Sequence, residues 1–134
     1  MKVSQRTEYG IRAMVALAER YEDGPVSIKD IAEREGIPET FLEQIMADLR
    51  RAGLIDSTRG AYGGYRLAKQ PSETSVGLVV ATLEGSLSPA RCGSSCEKMS
   101  DCTTRTVLDR IEESITATLD NIYLEELMKV SAGE

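Results

Sequence analysis

The chain has 134 residues, the length of one domain able to bury an ordinary core without disulfide staples. It holds three cysteines and no histidine, which excludes His-based catalytic triads, Cys2His2 zinc sites, His-ligated haem and 2-His-1-carboxylate iron. The net charge is −6, no apolar run nears the ~20 residues that span a bilayer, and MKVSQRTEYG lacks a signal-peptide core, so a cytoplasmic protein with no membrane partner is expected.

Residues 4–22 are predicted helical, with Ser4 as N-cap, Ala13, Met14, Leu17 and Tyr21 at helical spacing, and Asp23-Gly24-Pro25 as the stop. Ser27 caps a short helix from Ile28 to Glu35, and Gly36-Ile37-Pro38 breaks it. A third helix runs from Glu39 to Ala52 with Phe41, Leu42, Ile45, Met46 and Leu49 as its buried stripe. The pair has the proportions of a helix-turn-helix, whose second helix lies in a major groove, and equally of a plain helical hairpin. The next stretch separates the two. Gly53–Arg59 and Gly64–Ala68 read as strands joined by the turn Gly60-Ala61-Tyr62-Gly63, and a hairpin directly after a recognition helix is a wing.

Ser75 then caps a helix carrying Val76, Val79, Val80 and Leu83, ended by Gly85. Residues 86–102 hold Gly, Pro, Ser and every cysteine, and read as a loop. A long helix follows, from about Thr103 to Ile122, with Leu108, Ile111, Ile115, Leu119 and Ile122 in a near-heptad stripe suited to dimerisation. The expected fold class is mainly α with a small β-hairpin, a winged helix-turn-helix plus a long C-terminal dimerisation helix. Residues 1–70 would form the DNA-binding region, 71–102 a linker helix and cysteine loop, and 103–134 the dimerisation helix and a tail.

Charge distribution suits that division. Residues 1–70 are balanced, whereas 71–134 hold five basic against eleven acidic side chains and so carry the whole excess. Within 50–70, Arg50, Arg51, Arg59, Arg66 and Lys69 face one acid, Asp56, a local surplus fit for phosphates. Thr40, Glu43 and Gln44 at the start of the third helix are the candidate base readers, since Gln pairs with adenine and Glu accepts from cytosine. Arg59, Arg66 and Tyr62 belong to the wing, while Ser27 and Lys29 are candidate backbone contacts.

The cysteines form the segment Cys92-Gly-Ser-Ser-Cys96-Glu-Lys-Met-Ser-Asp-Cys102. In a reducing compartment an odd, clustered set binds metal more readily than it forms disulfides. A soft thiolate site lacking one ligand, or a redox trio of thiols, fits this pattern. A thiol oxidoreductase is disfavoured because there is no CxxC, no histidine base and no cofactor loop, so no enzyme and no small-molecule substrate are expected. A metal-storage or electron-transfer protein is the different-class alternative.

The segments Pro25-Val-Ser-Ile-Lys-Asp-Ile-Ala-Glu-Arg, Phe41-Leu-Glu-Gln-Ile and Leu54-Ile-Asp-Ser-Thr-Arg-Gly-Ala-Tyr-Gly-Gly-Tyr-Arg-Leu closely resemble the Rrf2 family of bacterial transcription regulators. That resemblance runs nearly end to end. It implies a homodimer of winged helices crossed by paired long helices on a palindromic double-stranded operator. It also implies an iron–sulfur cluster, 2Fe–2S in preference to 4Fe–4S, at Cys92, Cys96 and Cys102. Nitric oxide sensors of the family place a carboxylate where this chain has Glu8, which makes Glu8 the candidate fourth ligand, although an acid there also offsets the helix dipole. Three departures stand out. The first cysteine gap is three residues where five is usual, Ala61-Tyr62 replaces a common Pro-Gly, and Arg105 stands where the regulators of cluster assembly have a ligating histidine. A zinc or disulfide switch in place of the cluster is the nearer alternative.

Overall fold

The computed structural model describes residues 3–85 and 103–131. Its first helix, α1 (Gln5–Glu19), is capped by Ser4, whose hydroxyl accepts from the Thr7 amide. Its buried residues are mostly apolar, with Ala13, Met14, Ala16, Leu17 and Ala18 joined by Thr7 and Gly10. Helices α2 (Ile28–Glu35), α3 (Glu39–Arg51), α4 (Val76–Glu84) and α6 (Leu124–Ser131) all pack on this helix. The core they share contains Met14, Leu17, Ile31, Leu42, Ile45, Met46, Leu49, Val79 and Leu124, each at most 1% exposed. Burial of such side chains contributes ~1.5–3 kcal/mol apiece.

The α2–α3 junction is short because two residue types end and restart the helix locally. Gly36 takes the left-handed conformation that terminates α2, at φ 66°, and Pro38 precedes the first turn of α3. Ile37 between them is buried and anchors the turn. Strands β1 (Ile55–Thr58) and β2 (Gly64–Leu67) follow as an antiparallel hairpin in register Ile55↔Leu67 through Thr58↔Gly64. Ile55 and Leu67 at its base are buried, the rest of β1 is exposed, and Tyr65 of β2 is half-buried against the core. Val26, in the loop before α2, exchanges two 2.8 Å backbone hydrogen bonds with Tyr65, so the hairpin is fixed to the start of the helix-turn-helix. Gly64 permits this contact, because a Cβ there would collide with the Val26 backbone.

Beyond the wing, Ser75 caps α4 as expected. The long helix, α5 (Thr103–Asp120), ends two residues before the expected limit, and the chain after it is no simple tail. Leu124 donates to the Thr74 carbonyl at 3.0 Å and the Val76 amide to that of Ile122 at 2.7 Å. These bonds turn the chain into α6, which the sequence reading left within the tail. Leu124 is fully buried, while Leu127 and Met128 are partly buried against the core.

The apolar stripe of α5 divides in two. Leu119 and Ile122 pack on the chain's own core, whereas Val107 and Ile111 are 53% and 43% exposed. Across the 18 residues of α5 none is buried.

Candidate nucleic-acid interface

Helix α3 separates its two faces cleanly. Leu42, Ile45, Met46 and Leu49 point into the core, and Thr40, Glu43 and Gln44 are exposed together at its start. Phe41 between them packs edge-on against Tyr9 of α1, with ring centroids 5.6 Å apart. Three side-chain contacts hold α2 and α3 on α1. Arg12 pairs with Glu35 and lies over the Tyr9 ring, Arg20 bonds Asp30 at 2.9 Å, and Asp48 of α3 bridges Arg6 of α1 and its own neighbour Arg51.

The sequence-predicted contacts distribute unevenly. Ser27 and Lys29 are exposed at the start of α2, with the Ser27 hydroxyl accepting from the Asp30 amide. They line a groove of about 580 Å³ that runs to the wing tip at Tyr62 and Gly63. Arg59 is exposed on the wing and has no ion pair among the described residues. Arg66 is placed differently. Its guanidinium lies over the Tyr21 ring at 5.6 Å and one of its nitrogens lies 3.5 Å from the Tyr21 carbonyl, so it is held at the base of the wing. Arg51 pairs with Asp48, which it shares with Arg6, while Arg50, Arg59 and Lys69 have no ion pair among the described residues. Sequence reasoning missed Arg20, which also lines the groove; only the path of the chain brings the end of α1 there.

On the opposite end of α1, Glu8 is exposed in the first turn. Beside it the buried Thr7 hydroxyl donates to Glu84 at 2.5 Å, and the Ser4 hydroxyl and amide donate to the same carboxylate at 2.8 and 3.2 Å. These bonds, that of Thr7 foremost, hold the Glu84 carboxyl below its ordinary value of 4.5. Cys92, Cys96 and Cys102 lie outside the described residues, and no group of three metal-ligating side chains converges among the described ones.

A capped helix-turn-helix with a hairpin wing docked on its first loop defines the winged-helix class of DNA-binding proteins. The Rrf2 family model, described as an iron-dependent transcriptional regulator, matches residues 3–130, and the chain belongs to that family. It is 38% identical over 130 residues to the HTH-type transcriptional regulator IscR of Aliivibrio salmonicida (strain LFI1238), covering 96% of this chain and 77% of that one. The solved structure of T. potens IscR superposes with a TM-score of 0.81 at 42% identity, covering 98% of this chain and 88% of the other. CymR, the global cysteine regulator of B. subtilis, gives 0.78 at 35% identity, covering 97% and 98%. These relatives are transcriptional regulators rather than enzymes, and the DNA-binding regulator expected from the sequence stands. No helix of the described residues is long and apolar enough to cross a membrane.

Proposed function

We propose that this chain is a cytoplasmic, homodimeric regulator whose affinity for a palindromic operator is set by an iron–sulfur cluster bound at Cys92, Cys96 and Cys102. Glu8 is its fourth ligand. The observation that carries the reading is the exposed Glu8 carboxylate, one residue from the Thr7–Glu84 hydrogen bond, in a chain with three clustered thiols and no histidine. Three thiolates and one carboxylate are a donor set suited to a cluster, which supplies a redox-active, damage-sensitive group. Oxygen holds iron more labilely than sulfur does, and this favours loss of the group as a signal.

The chain's own residues supply a route from the sensor to the operator. Glu84 stands at the end of α4, just before residues 86–102, and grips Ser4 and Thr7 at the start of α1. Arg6, on the same turn, grips Asp48 of α3. A shift of the α1 start therefore moves the recognition helix, where Thr40, Glu43 and Gln44 meet base edges. Ser27 and Lys29 hold the backbone, and Arg59 enters the minor groove or pairs with a phosphate. The exposed part of α5, through Val107 and Ile111, joins the two protomers and sets half-site spacing.

Absorption and Mössbauer spectra of protein purified without oxygen, with iron and sulfide assays and operator gel shifts, test the proposal. A brown protein with one cluster per chain, whose loss on Cys92→Ala changes operator affinity, supports it. A colourless protein after anaerobic reconstitution overturns it. A second reading, the same DNA binder with a zinc or thiol-redox switch, draws support from the likeness to CymR, which is nearly equal to that with IscR.

A further inference from the structure

Tyr62 at the wing tip, we infer, is a minor-groove wedge. Its ring stacks into a deformable pyrimidine–purine step beside the bases read by α3, and so selects flanking sequence. This inference rests on the DNA-binding reading and adds a specificity determinant to it.

Tyr62 is 95% exposed, while the other five aromatic residues, Tyr9, Tyr21, Phe41, Tyr65 and Tyr123, are all partly buried. It stands alone as well as exposed. The other large exposed hydrophobics among the described residues, Val3, Leu78, Val107 and Ile111, lie ahead of α1 or on α4 and α5. A protein-docking surface needs a contiguous apolar patch, and the wing offers one ring among polar groups. Arg59, three residues away on the wing and without an ion pair among the described residues, is the group suited to a phosphate. The groove below the ring is mixed in charge, with Arg20 and Lys29 beside Asp23, Asp30 and Glu33.

The ring also has a fixed base. Gly63 donates to the Gly60 carbonyl at 3.0 Å to close the tip, and a Cβ on Gly63 would strike the Thr58 carbonyl. The Val26–Tyr65 pairing then ties the hairpin to the helix-turn-helix. The closed turn fixes where the ring leaves the backbone, and flexible TA and CA/TG steps open most readily for it. Stacking needs the ring and not the hydroxyl.

Selecting duplexes from a randomised pool with the full chain, Tyr62→Ala and Tyr62→Phe tests this. All three proteins should enrich one central motif. The parent and Tyr62→Phe should also enrich TA or CA/TG steps at a fixed flank, about five- to twentyfold over Tyr62→Ala. A 2-aminopurine at that step should brighten on binding of the parent and stay quenched with Tyr62→Ala. Equal flank enrichment by parent and Tyr62→Ala, or its loss in Tyr62→Phe, overturns the wedge and leaves the DNA binder standing. Failure of the parent to enrich any motif removes both.

Discussion

The buried hydroxyl of Thr7 donates to the Glu84 carboxylate at 2.5 Å, tying the first turn of α1 to the last turn of α4. Ser4 adds two more donors, so one carboxylate caps one helix and fastens another. The charge sits where the positive end of the α1 dipole and the unpaired amides of its first turn favour it.

Replacing Thr7 by Val keeps the shape and leaves Glu84 without its shortest donor. Loss of a hydrogen bond to a charged group should lower stability by ~1.5–3 kcal/mol, read as the urea midpoint at pH 7. Because the folded carboxyl lies below 4.5, its contribution is present above that pH and is lost as acid protonates it. The stability gap between the parent and Glu84→Gln should therefore be greatest near neutrality and shrink as the pH falls below 4.5. A gap that widens on acidification would contradict this direction.

Gly10 faces Leu83 across the α1–α4 contact, and a Cβ at position 10 would collide with the Leu83 side chain. Gly10→Ala forces the end of the Leu83 side chain to move, so it should gain less stability than the ~1 kcal/mol that alanine's helix propensity offers. Adding Leu83→Ala should recover part of that shortfall, giving a favourable coupling in a double-mutant cycle. Simple additivity would show that the two sites do not touch.

Ile111 is 43% exposed on a helix with no fully buried residue. Ile111→Glu should convert a dimer to a monomer in sedimentation velocity while thermal unfolding of the single chain changes little. Leu124→Ala is the contrasting case. Its side chain is fully buried, so ~2–5 kcal/mol of stability should go.

Arg59 is exposed and unpaired among the described residues, whereas Gln44 lies on the open face of α3. Arg59→Ala should weaken binding to all duplexes and reduce the salt slope by about one. Gln44→Ala should leave the slope and change which base is preferred at one position. Arg66→Ala should act mainly on stability, through the lost contact with Tyr21.

The candidate interface was partly legible before the fold was known. Thr40, Glu43 and Gln44 follow from helical periodicity alone, because a buried stripe on Leu42, Ile45 and Leu49 leaves only one face for DNA. Arg66 did not follow. Alternation along β2 makes it a wing residue, but its partner Tyr21 lies 45 positions away and is brought beneath it by the Val26 pairing. The pairing of Arg51 was not legible either, since Asp48 links it to Arg6 on another helix.

By itself the sequence determined what depends on neighbours in the chain. The caps Ser4, Ser27 and Ser75, the stop at Gly36, the wing turn and the apolar stripes of α1 to α4 are all set within a few residues. So was the absence of histidine, which restricts the metal chemistry open to the three cysteines. Tertiary structure decided the rest. The chain after α5 folds back as α6 only because Thr74 and Val76 offer backbone partners to Leu124 and Ile122. Glu84 acquires its role only because Thr7, 77 positions earlier, is packed against it. Periodicity reports the face that one element must bury; which distant surface covers it depends on packing that no local pattern records.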